Sequence, residues 1–373
     1  MGTAAMESAD NASALPWVHF WLFGPEFGCV KRELPIVRAL GGRARRLLLV
    51  HPRHEPLLRE VFANDPTVHV QAYRHGLHLA YRPDFDLDLR RTTIHLLKFA
   101  AYRWLADWRM FRRAVREHFP AVIVNDFLPQ VSLWARWQRL PCIGVYNYAL
   151  HETDFGRGPY RRLLSLLVPT LLRLAYWLPR RMFIETLYDR VPRPAVRIPL
   201  IRRFAANEGT AAPKHRYFLA LGGHSQPQAV LDYFERVAKH APGIQLLIAP
   251  RHRDEPSPRS RMFEQVPLPN PLQTELLYTE ISGVITKAGF TTVAEALQTG
   301  KALFLLPLAS HPEIRETERT LLQTGRATVI RLTDPPERTA DLLRHPPQPK
   351  ESLEELFGGE QVVLQEILRY LDR

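Results

Sequence analysis

Residues Ile281 to Pro307, ISGVITKAGFTTVAEALQTGKALFLLP, constrain the architecture more than any other stretch. The β-rich run Gly283 to Thr286 meets Gly289, and Thr291 and Thr292 stand where they can cap a helix carrying Val293, Ala294, Ala296 and Leu297. Gly300 stops that helix, and Ala302 to Leu306 is an apolar run of buried-strand length ending at Pro307. Strand, turn, helix, strand is a βαβ unit. Such a unit pairs its strands in parallel and needs cover on both sheet faces, which places the chain in the α/β class. Its helix starts just past a strand's carboxyl end, where free backbone N–H groups and the helix dipole attract a phosphate. Glu295, one turn into the helix, is a carboxylate that can accept hydrogen bonds from a ribose. Most α/β proteins contain several such turns, so a purely structural role stands beside the phosphate-binding one.

The same order recurs. The aromatic and β-branched run Trp17 to Phe23 ends in Gly24-Pro25-Glu26-Phe27-Gly28, followed by a helical period at Val30, Leu34, Val37 and Leu40 and a second strand at Leu47 to Val50. Further on, the strand Arg216 to Leu221 precedes the turn Gly222-Gly223-His224-Ser225-Gln226 and a helix over Pro227 to His240. At 373 residues, 46% hydrophobic and 24% charged, the chain is long for one ordinary domain and comfortable for two. Composition shifts at Ala205 to Lys214, the expected linker. The division expected is a loose tail over 1–15, a Rossmann-like domain over 16–205, a linker over 206–214, a second Rossmann-like domain over 215–350, and a terminal helix within 351–373. Thr93 to His118 has helical period and carries Trp104, Trp108 and Phe111 among arginines, as an amphipathic helix covering a sheet would. Ala121 to Asn125 and Cys142 to Tyr146 read as buried strands, and Asp126 falls at the carboxyl end of the first, where open α/β sheets place ligands.

Taken together, [ST]-[KR]-x-G-x-x-T-V-x-E-A over Thr286 to Ala296, then G-x-A-x-x-x-x-P and the loop Ser310 to Glu313, resemble the donor-binding segment of GT-B glycosyltransferases. The likeness is to the family 28 type in particular, which includes the peptidoglycan N-acetylglucosaminyl transferase, and to related UDP-glycosyltransferases. The resemblance implies two facing, doubly wound Rossmann-like domains with parallel sheets, the terminal helix crossing back to the first. It places Gly289, Phe290, Thr291 and Thr292 beside a donor diphosphate, Glu295 on the ribose, and His311 with Glu313 on the sugar. Lys287 is the nearest cation to that phosphate. Ile314 stands where the family has Gln, so the likeness does not specify the sugar. Gly222, Gly223, His224 and Ser225 resemble the family's G-G-S-Q-G loop, which faces the diphosphate; Pro227 replaces its last glycine. The opening loop resembles G-x-G-x-G-H-x-x-[RP], which makes Gly24, Glu26 and Gly28 an acceptor loop and puts Cys29 where the family carries its general-base His. V-I-V-N-D-F-L-P resembles the segment whose Asp pairs with that His, leaving Asp126 to orient another base, act as base, or cap the next helix. His151, in the polar loop Asn147 to Gly158, is a second base candidate.

The expected activity is transfer of a sugar from a UDP-linked donor to a glycan, lipid-linked or small-molecule acceptor hydroxyl, with no cofactor and no metal. Cys29 and Cys142 show no metal-ligand spacing or disulfide framework, and a cytoplasmic location is expected. The net charge of +12 attracts anions, and only seven of the fifty basic residues are lysines. Arg161 to Arg181, apolar with Tyr and Trp near a basic end but broken by Pro169, is either a buried core helix or a peripheral contact with an anionic membrane. Nucleic acid is not an expected partner. The rival readings are a nucleotide-sugar hydrolase on the same fold and a non-catalytic nucleotide-sugar binder.

Overall fold

The computed structural model describes residues 14–22, 24, 27–73, 89–98, 103–126, 128–147, 176–187, 191–204, 215–220, 228–248, 263–265, 270–307, 312–347 and 353–373. These residues divide into two compact units. The first holds the described residues up to 201 together with 358–373, and the second those from 202 to 357.

In the first unit the chain runs β1 (Trp17–Leu22), α1 (Phe27–Ala39), β2 (Arg45–Val50), α2 (Glu55–Val61), β3 (Val68–Ala72), α3 (Leu89–Lys98), α4 (Trp104–Glu117), β4 (Pro120–Asp126), α5 (Pro129–Trp137), β5 (Cys142–Tyr146), β6 (Arg181–Glu185) and β7 (Val196–Ile198). The strands form one sheet in the order β3-β2-β1-β4-β5-β6-β7, each pair parallel. All six residues of β1 are buried, as a central strand covered on both faces requires. Alternation sends Trp17 and Trp21 to one face, where they join Leu47, Leu49 and Ile123 in a core closed by Phe111 of α4 and Trp134 of α5.

Of the stretch expected as one helix over Thr93 to His118, the described residues are helical at 93–98, within α3, and over α4, while 99–102 lie outside the described residues. Helix α4 buries a charge along with its apolar stripe. The Tyr73 hydroxyl donates to Asp107 Oδ2 at 2.6 Å, and Asp107 is fully buried. Burial lifts the Asp107 carboxyl to about 7, against the opposing pull of the Tyr73 hydrogen bond and Arg103. His19 on β1 moves the opposite way, burial pushing it down to about 3 and keeping the imidazole neutral.

The second unit runs β8 (Arg216–Ala220), α6 (Gln228–His240), β9 (Gln245–Ile248), β10 (Phe263–Gln265), α7 (Glu275–Thr279), β11 (Gly283–Thr286), α8 (Phe290–Gln298), β12 (Ala302–Leu305), α9 (Pro312–Gln323), β13 (Thr328–Val329) and α10 (Pro336–Arg344), with a 3-10 turn at Glu354–Leu356. Its sheet, β10-β9-β8-β11-β12-β13, is again wholly parallel. Tyr217, Leu219, Ile285 and Phe304 supply one face of its core, against Val230, Phe234 and Val237 of α6. Residues 202–204 belong to this unit although the sequence assigns them to the first domain. The Gln298 side chain holds them: its Oε1 accepts from Arg203 N (2.7 Å) and Phe204 N (3.2 Å), and its Nε2 donates to Phe204 O (2.8 Å).

After Phe357 the chain returns to the first unit as α11 (Gly359–Leu371), which packs on α1 and β4. Two glycines make the entry possible. Gly358 adopts φ +119, and at Gly359 a Cβ would stand 2.1 Å from the Pro199 carbonyl oxygen; both amides donate to Leu200 O at 3.1 Å.

Each sheet reverses strand order once, between β1 and β4 and between β8 and β11. At these two edges open parallel sheets leave a crevice beyond the strand ends.

Asp107 gives the first prediction. In an unfolded chain Asp titrates near ~3.9, whereas here the group titrates at about 7. Between these values the native state keeps a proton that the unfolded state releases, so this group's contribution falls as pH rises through that window and is level outside it. Asp107→Asn, which keeps an acceptor for Tyr73, is therefore expected to melt below or level with wild type near pH 4 and to gain on it as the pH is raised to neutrality. Paired thermal melts across that range check this; parallel curves would contradict it.

Candidate functional site

At the second unit's switch point β11 ends at Thr286, in register with Ala220 at the end of β8. The turn Lys287-Ala288-Gly289 follows. Ala288 is buried at φ +62, a left-handed conformation that costs a non-glycine residue about 1–3 kcal/mol and is kept only where the surroundings enforce it. Gly289 is the N-cap of α8, extended at φ −61, ψ 124, with no side-chain cap. Thr291 and Thr292, expected as capping residues, lie instead in the first turn, half-buried. The amides of Phe290, Thr291 and Thr292 therefore have no acceptor within the helix. A Cβ built on Gly289 meets no atom of the described residues within 4 Å. Phe290 is buried and roots the turn, and the buried Thr286 hydroxyl has no hydrogen-bond partner among the described residues.

Glu295 sits one turn deeper and is only 3% exposed. The Tyr278 hydroxyl donates to its Oε2 (3.0 Å) and the Thr274 hydroxyl to its Oε1 (3.4 Å). Burial, with the Glu295 charge, raises Tyr278 well above its ordinary value, which keeps that phenol a donor. The carboxylate is thus oriented by its own unit. Tyr278 and Thr274 escape a sequence reading because nothing in L-Q-T-E-L-L-Y marks a second contact to a helix seventeen residues on. Gly222, Gly223, His224, Ser225 and His311 lie outside the described residues, as does the Glu313 side chain; Glu313 belongs to α9.

At the first unit's switch point Leu22 and Asp126 end their strands side by side. Gly24 follows with φ +68, and α1 opens with Phe27, Gly28 and Cys29. Asp126 is fully buried and gripped by Arg32, whose Nη2 lies 2.6 Å from both carboxylate oxygens and whose Nε lies 3.2 Å from Oδ2. Arg32 is 2% exposed, and its Nη2 is 3.7 Å from Cys29 Sγ. Burial alone would lower the guanidinium; the charge of Asp126, with Cys29 and Glu185, outweighs it and raises Arg32 above its ordinary value. With both oxygens on a cation, Asp126 is an ion-pair partner and has no lone carboxylate to offer as a base. Nor does it cap α5. The N-cap, Leu128, has no side-chain cap, and Asn125 holds the turn before it: its Oδ1 accepts from Leu128 N (3.0 Å) while its Nδ2 donates to Leu128 O and to Ser132 Oγ. The clue to Arg32 was the final [RP] position of the glycine-loop pattern, on which Arg32 falls.

His51 and His54, just past β2, also reach this edge. The Phe27 ring packs 4.9 Å from His54, and His51 lies 6.0 Å beyond. Burial and Arg53 push His51 down, so it is neutral near pH 7, and its Nδ1 accepts from Arg53 N (3.3 Å). The signal was H-P-R-H directly after a strand. Cys142, by contrast, is an inert core thiol, its pKa raised to about 12 by burial. Glu26 and His151 lie outside the described residues, as does most of Arg161 to Arg181. Among the described residues no three His, Cys, Asp or Glu side chains gather to hold a metal, and no helix is long and apolar enough to cross a membrane.

Two doubly wound, wholly parallel sheets in one chain have clear counterparts among solved structures. Arabidopsis thaliana UGT89C1 in complex with quercetin superposes with a TM-score of 0.64 at 12% identity, covering 96% of this chain and 99% of that one. The calicheamicin glycosyltransferase CalG4 gives 0.60 at 17% identity, with 96% and 99% covered. The spinosyn rhamnosyltransferase SpnG with thymidine diphosphate gives 0.51 at 16%, with 96% of each covered. The fold is that of the GT-B glycosyltransferases. No protein-family model matches the chain, and no curated protein matches it in sequence, so this GT-B assignment rests on architecture.

The Arg32–Asp126 pair makes a sharp prediction for this GT-B chain. Arg32→Met leaves a buried carboxylate uncompensated and is expected to cost about 3–5 kcal/mol, whereas Arg32→Met with Asp126→Leu, which removes both charges, recovers most of that loss. Urea unfolding of the two variants checks it. A double variant as unstable as the single one would contradict the pairing.

Proposed function

We propose that the chain transfers a sugar from a nucleoside diphosphate donor to an acceptor hydroxyl. The observation that carries this is the N-terminus of α8 at the β8/β11 switch point: amides at 290–292 with no acceptor inside the helix, no described atom within 4 Å of a Cβ at Gly289, and a fixed carboxylate at Glu295 one turn below. Amides aimed at one point stabilise a diphosphate, and more so the charge that grows on it as the sugar leaves. Glu295 holds the ribose, and Lys287, Gly222, Gly223, His224 and Ser225 close around the phosphates in this reading. The donor we propose is UDP-linked, from the sequence likeness around Glu295; a thymidine diphosphate donor is the nearest rival, since SpnG is a neighbour in complex with that nucleotide.

In the first unit the acceptor hydroxyl must lose its proton. Cys29 stands where the resemblance expects a histidine, and Arg32 has taken Asp126. His151, from the loop after β5, is then the proposed base, a neutral imidazole being suited to that work near pH 7. We propose a single displacement without a resident cofactor or metal, acting on a glycan, lipid-linked or small-molecule acceptor. The same Arg32–Asp126 pairing favours one competing reading, a nucleotide-sugar binder that does not turn over.

The test is a thermal-shift titration with UDP-, TDP-, GDP- and CMP-sugars, followed by assay of the stabilising donor with His151→Ala. A saturating ligand at a hundred times its Kd stabilises by about 2.7 kcal/mol. Because Glu295 is buried on Tyr278, Glu295→Gln is the informative substitution. It keeps an acceptor for the phenol and is expected to weaken the UDP-sugar at least about tenfold, as loss of a charged hydrogen bond does. Wild-type response in that variant would remove the ribose assignment. Full turnover by His151→Ala would remove the base, and binding with no turnover by wild type would favour the competing reading.

A further inference from the structure

The outer face of α4 is built unlike an ordinary solvated helix face. Its buried side carries Asp107, Phe111, Ala114 and Val115. On the opposite side Leu105, Arg109, Arg112 and Arg116 recur at spacings of four, three and four residues, which aligns them in one stripe, and Phe119 follows two residues past the helix end. The arginines are all exposed, and they line one surface depression together with Arg113. Arg113 is neutralised by Glu117 at 2.7 Å, and the other three project as a basic row. Arg112 leans on the Trp108 ring at 5.9 Å, which props the guanidinium outward. Leu105, which begins the row, and Phe119, just after the helix, are apolar and exposed, at 59% and 70%. Beside it, Trp137 at the end of α5 is 59% exposed and meets Trp108 edge-on at 6.0 Å.

A row of cations flanked by large apolar tips, with an indole alongside, matches the chemistry of a lipid interface. Guanidinium groups meet phosphate headgroups while Leu, Phe and Trp tips enter the boundary below them. Nucleic acid would satisfy the arginines and stack on Trp137, but it offers nothing to Leu105. The helix, fourteen residues and about 21 Å long, lies flat along the surface, and Phe111 and Asp107 anchor it from beneath.

We propose that this face of the first unit is a peripheral docking surface for anionic membrane lipid. The inference stands apart from the proposed glycosyl transfer, since none of its residues belongs to either switch point. It assigns the membrane contact to α4, Phe119 and the end of α5, whereas the sequence offered Arg161 to Arg181 either as such a contact or as a buried core helix.

The test is flotation of the full chain with vesicles of phosphatidylcholine alone and of phosphatidylcholine mixed with phosphatidylglycerol. Wild type is expected to float only with the mixed vesicles and to be released by high salt. Arg109→Ala, Arg112→Ala and Arg116→Ala together are expected to weaken that binding on the order of a hundredfold, each basic residue near the surface contributing about fivefold. Leu105→Ser with Phe119→Ser, which leaves every charge in place, is also expected to weaken it. These side chains are exposed, so both variants should melt with wild type and keep its response to nucleotide sugars. Wild type ignoring the mixed vesicles would overturn the proposal without a variant being made. So would a triple-alanine variant that floats like wild type, or capture of oligonucleotides in place of vesicles with Leu105→Ser, Phe119→Ser unaffected.

Discussion

Parallel pairing of β8 with β11 stops at Ala220 and Thr286, and the functional reading begins with what the backbone must do there. The chain has three residues in which to leave the sheet and start a helix, and it does so by forcing Ala288 into a left-handed conformation. The result is a helix end whose amides are spent on nothing inside the helix and whose cap residue has no side chain to fill the space above it. Phe290 below and the Tyr278–Glu295 hydrogen bond behind keep the turn from relaxing. A rigid donor array with no acceptor inside its own helix is suited to an anionic partner, and that links a local backbone constraint to the proposed diphosphate.

The first unit shows the same topology put to a different use. Its switch point holds a buried bidentate ion pair, Arg32 with Asp126, where a polar cavity edge would otherwise be. Such a pair contributes little net stability but is severely destabilising when half of it is removed, so it fixes the start of α1 against the end of β4 more than it strengthens the fold. Chemistry in this unit must therefore come from groups around the pair.

The sequence made the repeated strand–glycine–helix order legible because period and glycine position are local properties. β11 and β12 appear within a residue of where Gly283 to Thr286 and Ala302 to Leu306 set them, and α8 starts three residues before Val293 and ends one after Leu297. What escaped was tertiary. The Thr291 and Thr292 capping role failed because Gly289, held by the strained Ala288, is already the cap. Arg32 looked like one more basic residue among fifty until Asp126, ninety-four residues on, was seen across from it. Residues 202–204 read as the tail of one domain because no local pattern reveals that Gln298 will bind their backbone. Asp107, a carboxylate on the apolar side of a helix, makes sense only once the Tyr73 hydroxyl is known to meet it.

The central claim is that the amides beginning α8 bind the phosphates of a nucleotide. It is tested most directly by following the backbone amide resonances of Phe290, Thr291 and Thr292 while UDP is added to the labelled protein. The account predicts that these three shift first and saturate together, with the amides around Arg32 and Asp126 unmoved. Saturable UDP binding that leaves residues 290–292 in place would contradict it.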